Sequence, residues 1–163
     1  MKKLSYITLI FLIASCSVSK STKTMHPFSG DSVGCGNFIV YKLTEDNKEF
    51  VSIIVDVSSI ELEARQSYGI GKSEIIKVTR KKYEGAINET LCNDVMIAKK
   101  PKELLEEVAT DGVVDLIVSE VEQEKANNNE PYKATIILKN VVFESISIDY
   151  LRLDNINVGW LPG

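Results

Sequence analysis

From Cys35 onward, apolar residues recur at every second position over several short runs, the spacing of strands that turn one face to a core. Asn37 to Leu43 (NFIVYKL) is rich in branched and aromatic side chains, and the polar stretch Thr44 to Glu49 (TEDNKE) follows it. Phe50 to Val57 then puts Val51, Ile53, Val55 and Val57 on one face and Ser52 and Asp56 on the other, with Phe50 and Ile54 between them. Two such runs around a polar turn predict an antiparallel hairpin. Ile60, Leu62 and Ala64 alternate with Glu61, Glu63 and Arg65, which extends the sheet after a bend at Ser58-Ser59, and Gln66 to Lys72, with Gly69 and Gly71, reads as a loop. Ile75 to Tyr83 (IIKVTRKKY) is a strand whose end, Arg80-Lys81-Lys82, reads as a solvated edge that discourages aggregation. Gly85 to Asn88 makes a turn, and Leu91-Cys92 enters another short strand near Val95 and Ile97.

The last third carries the clearest alternation. Val113 to Val121 and Tyr132 to Glu144 predict a long antiparallel hairpin around the polar stretch Glu122 to Pro131. In its second arm Tyr132, Ala134, Ile136, Leu138, Asn140 and Val142 share one face, and Lys133, Thr135, Ile137, Lys139, Val141 and Phe143 the other. Ile146, Ile148, Leu151 and Leu153 predict a further strand with a slip near Tyr150, and Ile156, Val158 and Trp160 alternate at the end. One stretch breaks the period: Pro101 to Ala109 (PKELLEEVA) opens on proline and spaces Leu104, Leu105 and Val108 as a short helix would. Its Glu106 and Glu107 point to different faces and read as solvated. Many strands, one small helix and no repeated crossover helices predict an all-β, mainly antiparallel fold, a β-sandwich or a small partly closed barrel.

The amino-terminal run obeys a different rule. Met1 to Cys16 reads MKKLSYITLIFLIASC: Lys2 and Lys3 form a positive start, and Leu4 to Ile13 is a mostly apolar run of signal-peptide length, too short to span a bilayer. Ile13-Ala14-Ser15-Cys16 resembles the lipobox of bacterial lipoprotein precursors. The resemblance implies that residues 1–15 are removed and that the Cys16 thiol carries diacylglycerol, with Cys16, acylated at its amino group, as the new first residue. One acyl chain holds a protein only marginally, whereas several hold it firmly. In that family an aspartate after the cysteine is an inner-membrane sorting signal, and acidic residues there can direct export to the surface. Ser17 and the following SVSKST carry neither, which implies an outer-membrane anchor facing the periplasm. The runs CGNFIVYKL and VGWLPG also resemble small uncharacterised β-rich lipoproteins of two-membrane bacteria, which assigns no activity and no site.

Composition then narrows the partners. Removing residues 1–15 from 163 leaves 148, enough for one domain, expected over 35–163, with residues 16–34 as a Ser/Thr/Lys-rich flexible tether. The leader takes two of 19 basic residues and none of 23 acidic ones, so the mature chain carries a net charge of −6. That balance argues against nucleic acid, whose phosphates require clustered Lys and Arg. With Cys16 given to lipid, Cys35 and Cys92 remain as a pair; in an oxidising compartment the simplest state is a disulfide, the alternative being two buried free thiols. Closing a loop of that length stabilises by about 4 kcal/mol on the chain-entropy model.

Candidate chemistry is sparse. The single histidine, His26, falls in the tether and there is no CxxC, which leaves no thiol nucleophile with a base and no zinc ligand set. Gly69-Ile70-Gly71 lacks the rest of a phosphate-binding loop. Asn127 to Asn129, Asp111 with Asp115, and Asp149 with Asp154 offer oxygens without the spacing of a calcium loop. No cofactor and no catalytic residue is expected. The residues therefore point to a lipid-anchored, non-catalytic binding or structural module for an envelope protein or glycan, with Tyr68, Tyr83 and Trp160 as exposed aromatic candidates. The alternatives are an envelope hydrolase using dispersed Asp and Glu residues, or an inhibitor of a wall-degrading enzyme.

Overall fold

The period-two runs form strands in the computed structural model, which describes residues 27–35, 38–87, 91–92, 101–120 and 132–159. The strands are β1 (Ser32–Cys35), β2 (Ile39–Leu43), β3 (Glu49–Val55), β4 (Gln66–Gly69), β5 (Ile76–Tyr83), β6 (Glu103–Val108), β7 (Asp111–Glu120), β8 (Tyr132–Val142) and β9 (Ser147–Gly159). Sheet A has the order β1-β2-β3-β5-β6 and sheet B the order β4-β7-β8-β9, with every neighbouring pair antiparallel. This is the β-sandwich alternative of the sequence reading.

Alternation decides which side of each strand is buried. Val40, Val51, Ile53, Val55, Ile76 and Val78 from sheet A meet Val114, Leu116, Val118, Ala134, Ile136, Leu138, Leu153 and Val158 from sheet B in one core. The β2–β3 connection is tight because Asn47 adopts the left-handed backbone (φ 55°) that asparagine tolerates, and Asp46 accepts hydrogen bonds from Thr44 Oγ1 at 2.7 Å and the Lys48 amide at 3.2 Å. At the open side of the sandwich β1 lies against β9, close enough that a Cβ on Gly34 would stand 1.7 Å from the Asn157 carbonyl oxygen.

Several expectations change. The short helix over 101–109 is strand β6, because a partner is at hand: its residues pair with β5 from Thr79↔Val108 to Tyr83↔Glu103, with Leu104 left over as a bulge. The loop expected at Gln66 is β4, which pairs Gln66 to Gly69 with Leu116 to Val113, while Leu62 makes only an isolated bridge to Val118. Arg80 to Lys82 is no edge, since β5 lies between β3 and β6. In β8 the alternation changes phase at Asn140 (φ 49°), so that Val141 and Phe143, rather than Val142, continue the buried face begun by Ala134, Ile136 and Leu138. β9 makes the matching step: Ile148 and Leu151 are both buried, which is the slip read near Tyr150. The folded body starts inside the expected 16–34 tether, for Phe28 is 1% exposed and packs in the main core, a burial its polar neighbours in sequence did not signal. The strand expected near Val95 and Ile97 lies outside the described residues.

Gly34→Val tests the β1–β9 contact. The added side chain cannot share space with a backbone carbonyl, so we expect a loss of about 3 kcal/mol in urea unfolding. A change within about 0.5 kcal/mol would show that the two strands do not meet.

Candidate functional site

One charged cluster lies inside the protein. Arg80 follows Ile76 and Val78 in phase on the inward face of β5, and it is buried. Its Nε donates to Glu49 Oε1, its Nη1 donates to Glu107 Oε2 at 2.7 Å, and the same Nη1 donates to the Ser145 hydroxyl. Glu107 also accepts the Ser145 amide at 2.9 Å and the Ser145 hydroxyl at 2.9 Å. Glu49 sits on β3, Glu107 on β6 and Ser145 in the turn between β8 and β9, so one guanidinium joins three strands of sheet A to sheet B. Burial opposes ionisation of Glu107, but the hydrogen bonds from Arg80 and Ser145 and the Arg80 charge outweigh it and lower its pKa. Burial likewise pulls Arg80 down, and its bonds to Glu49 and Glu107 more than compensate, raising it.

A second acid is held in the same manner on the outward face of sheet B. Asp115 is buried and accepts Ser67 Oγ at 2.6 Å and Lys139 Nζ at 2.6 Å, with Arg65 Nε at 3.6 Å. Burial would raise its pKa; Lys139 and Ser67, with the charges of Lys139 and Arg65, lower it. The remaining carboxylates with displaced ionisation follow suit. Lys81 lowers Glu106, Arg152 lowers Asp154, and turn hydrogen bonds lower Asp46 and Asp56. Of the aspartates that the sequence sets in pairs, Asp115 and Asp154 are each engaged by a basic side chain, Lys139 and Arg152, and no group of three or more His, Cys, Asp or Glu side chains that could hold a metal ion occurs among the described residues. Asn127 to Asn129 lie outside them. An open recess of about 400 Å³ runs along Pro27, Ser29, Thr44 to Asp46, Lys48, Glu49 and Lys82, with charges of both signs.

The outward face of sheet A carries a second, smaller core. Leu43, Phe50, Tyr83 and Ile87 are buried together, with Val33, Tyr41 and Leu91 against them. Tyr41 meets Phe50 edge-on at 5.2 Å between centroids, and Phe50 stacks on Tyr83 at 6.0 Å. Tyr83 is thus not the exposed aromatic expected from the sequence: burial and the neighbouring Glu103 push its hydroxyl up to about 12. Tyr68 is also partly buried, and its hydroxyl donates to the Ser59 carbonyl at 3.2 Å. Trp160 lies outside the described residues, as does Cys16. Cys35 and Cys92 are at disulfide distance, their Cα atoms 5.2 Å apart.

Sheet edges are the remaining candidates for recognition. The β1 and β9 edges face one another, and Leu62, Glu63 and the side chain of Gln66 bind back along β4 and β7. Among the described residues nothing pairs with the outer edge of β6. The Ala109 amide donates to the Val78 carbonyl at 2.9 Å, which turns the amides of Glu106 and Val108 away from β5. Leu104 (54%) and Val108 (49%) are also the two most exposed of the large hydrophobic residues described. Sequence reasoning missed both features. Arg80 was legible as in phase with Ile76 and Val78, but its acids come from distant strands, and Leu104 with Val108 read as part of a short helix.

No family model matches this chain, and neither does a curated protein or a solved structure.

Removing the central cation tests the buried cluster. Arg80→Met removes the cation that Glu49 and Glu107 share, leaving Glu49 the more distant Lys82 at 3.9 Å and Glu107 the Ser145 hydrogen bonds, and we expect a loss of about 3–5 kcal/mol near neutral pH. Because Glu107 is lowered in the folded state, its contribution is complete above the ordinary carboxylate range and fades as pH falls through its folded value. The difference between wild type and variant should therefore shrink below about pH 4. A loss under about 1 kcal/mol at pH 7, or one independent of pH, would contradict the arrangement.

Proposed function

We propose that this protein is a lipid-anchored component of the bacterial cell envelope, held at the outer membrane through Cys16 and facing the periplasm, and that its sandwich is a non-catalytic binding module. The lipobox-like Ile13-Ala14-Ser15-Cys16 supports the anchor. Only residues 17–27 lie between that cysteine and the buried Phe28, so the body hangs within about 40 Å of its anchor even if the connection is fully extended. The reading places the cysteine pair in an oxidising compartment, in keeping with their spacing in the fold.

The observation that carries the binding role is the β6 edge, which combines outward-facing amides at Glu106 and Val108 with exposed Leu104 and Val108. Such an edge accepts an extended segment as an added strand, with main-chain hydrogen bonds giving affinity and side-chain contacts giving specificity. That mode favours another envelope protein over a glycan, since a sugar cannot continue a β-ladder. The buried carboxylates Glu49, Glu107 and Asp115 are each engaged by a basic side chain, Arg80 or Lys139, which supports the non-catalytic part of the reading.

Growth with an alkyne-tagged fatty acid, with a photo-crosslinking residue at Val108, tests both parts in one strain. We expect wild type to carry the tag, Cys16→Ala to lose it, and Val108 to form a discrete protein adduct that a crosslinker at Arg152 does not form. Tagging of Cys16→Ala would remove the anchor, and identical adducts from both positions would remove the β6 surface.

A further inference from the structure

The described residues contain two cores that differ in how they are closed. The main core is sealed by both sheets, whereas the small core on the outward face of sheet A owes two members, Ile87 and Leu91, to chain that follows β5. Ile87 is fastened by its own amide, which donates to the Asn47 carbonyl at 2.9 Å beside the β2–β3 turn. Leu91 is fastened through its neighbour: Cys92 joins Cys35, at the end of β1 remote from that turn. Cys35 shares the outward face with Val33, Tyr41 and Leu43, because Val33 pairs with Tyr41 and Cys35 with Ile39. The bridge therefore lies over the outward face of sheet A, on the side away from the main core. β1 has separate attachments, four pairs to β2 and the close approach of Gly34 to β9.

We propose that the Cys35–Cys92 disulfide is a redox-addressable latch: a dithiol reductant that cleaves it frees Leu91 and loosens Ile87, uncovering the Tyr41–Phe50–Tyr83 aromatic cluster while the sandwich stays folded. Access favours attack at one sulfur, since Cys92 is exposed and Cys35 only half-buried. A thiolate of the reductant attacks the Cys92 sulfur, the bond to Cys35 breaks, and Cys35 leaves as a thiolate that takes a proton. The second thiol of the reductant then displaces Cys92. Two electrons and two protons pass to the protein, which ends with two thiols, and the reductant ends as a disulfide. Local opening follows from the partition of the cores, because the group released belongs to a unit that the main core does not require. The surface uncovered is apolar and aromatic, suited to a hydrophobic partner, and re-oxidation would cover it again.

Hydrogen exchange of the full chain in detergent, with and without dithiothreitol, tests the latch. After reduction, peptides containing Ile87 and Leu91 should exchange at least tenfold faster, those from β3, β5, β7, β8 and β9 should be unchanged, and removal of the reductant in air should restore the first pattern. Cys92→Ser should reproduce the reduced pattern without reductant; if that variant fails to fold, the disulfide holds the whole domain and the proposal is wrong. Acceleration spread over both sheets, or none around Ile87 and Leu91 once both thiols have been titrated, would equally overturn it.

Discussion

A guanidinium placed between two β-sheets has to be matched by acids, and the burial of Arg80 constrains the architecture at several points together. An isolated buried ion would be untenable, so the strands around it are ordered in a way that brings Glu49 and Glu107 to its two sides. The pairing Val51↔Arg80↔Glu107 sets the β3–β5–β6 register, because a slip of one residue would turn the cation or its acid to the other face. Ser145 carries the same requirement into sheet B, since its amide and hydroxyl complete the coordination of Glu107. Apolar area supplies most of the driving force for the sandwich, and the ionic cluster selects one arrangement of its strands.

That division explains what could be read from the chain. Strands β2, β3, β5, β7, β8 and β9 were legible because each turns one apolar face inward, and period two survives wherever burial is one-sided. β6 was not legible. ELLEEV has strong helix formers at nearly every position, and tertiary context overrides them: the backbone ladder with β5, with the contacts of Glu107 to Arg80 and of Lys81 to Glu103 and Glu106, holds it in the sheet. The phase change at Asn140 was hidden for a related reason: a single left-handed residue alters which neighbours are buried without altering composition. Phe28 escaped notice because one large side chain among Ser, Thr and Lys is too little to disturb a local average, yet enough to fill a site in a core.

The candidate site was less legible than the fold. Cysteine parity gave the pairing of Cys35 with Cys92, and the aromatic residues Tyr68 and Tyr83 were visible as aromatics but not as buried ones. Burial on the outward face of sheet A could not be anticipated, because the residues that cover it, Ile87 and Leu91, lie in a stretch with no regular period. The position of β6 at the end of sheet A, with no further strand beyond it among the described residues, is a property of strand order, which no local pattern encodes. In physical terms the chain wrote its local alternation plainly and left the long-range choices to a few charged and covalent contacts.

Selective ¹⁵N labelling of arginine gives the most direct measure of the central claim, because the chain has only Arg65, Arg80 and Arg152. Arg65 and Arg152 have side chains about half exposed, at 55% and 49%, whereas that of Arg80 is 7% exposed. Exchange of the side-chain Nε protons with water should therefore leave one resonance protected by at least tenfold over the other two, and Arg80→Lys should remove that resonance. Three arginine signals exchanging at one common fast rate would mean that Arg80 is solvated, and the account of how the sheets are joined would fail.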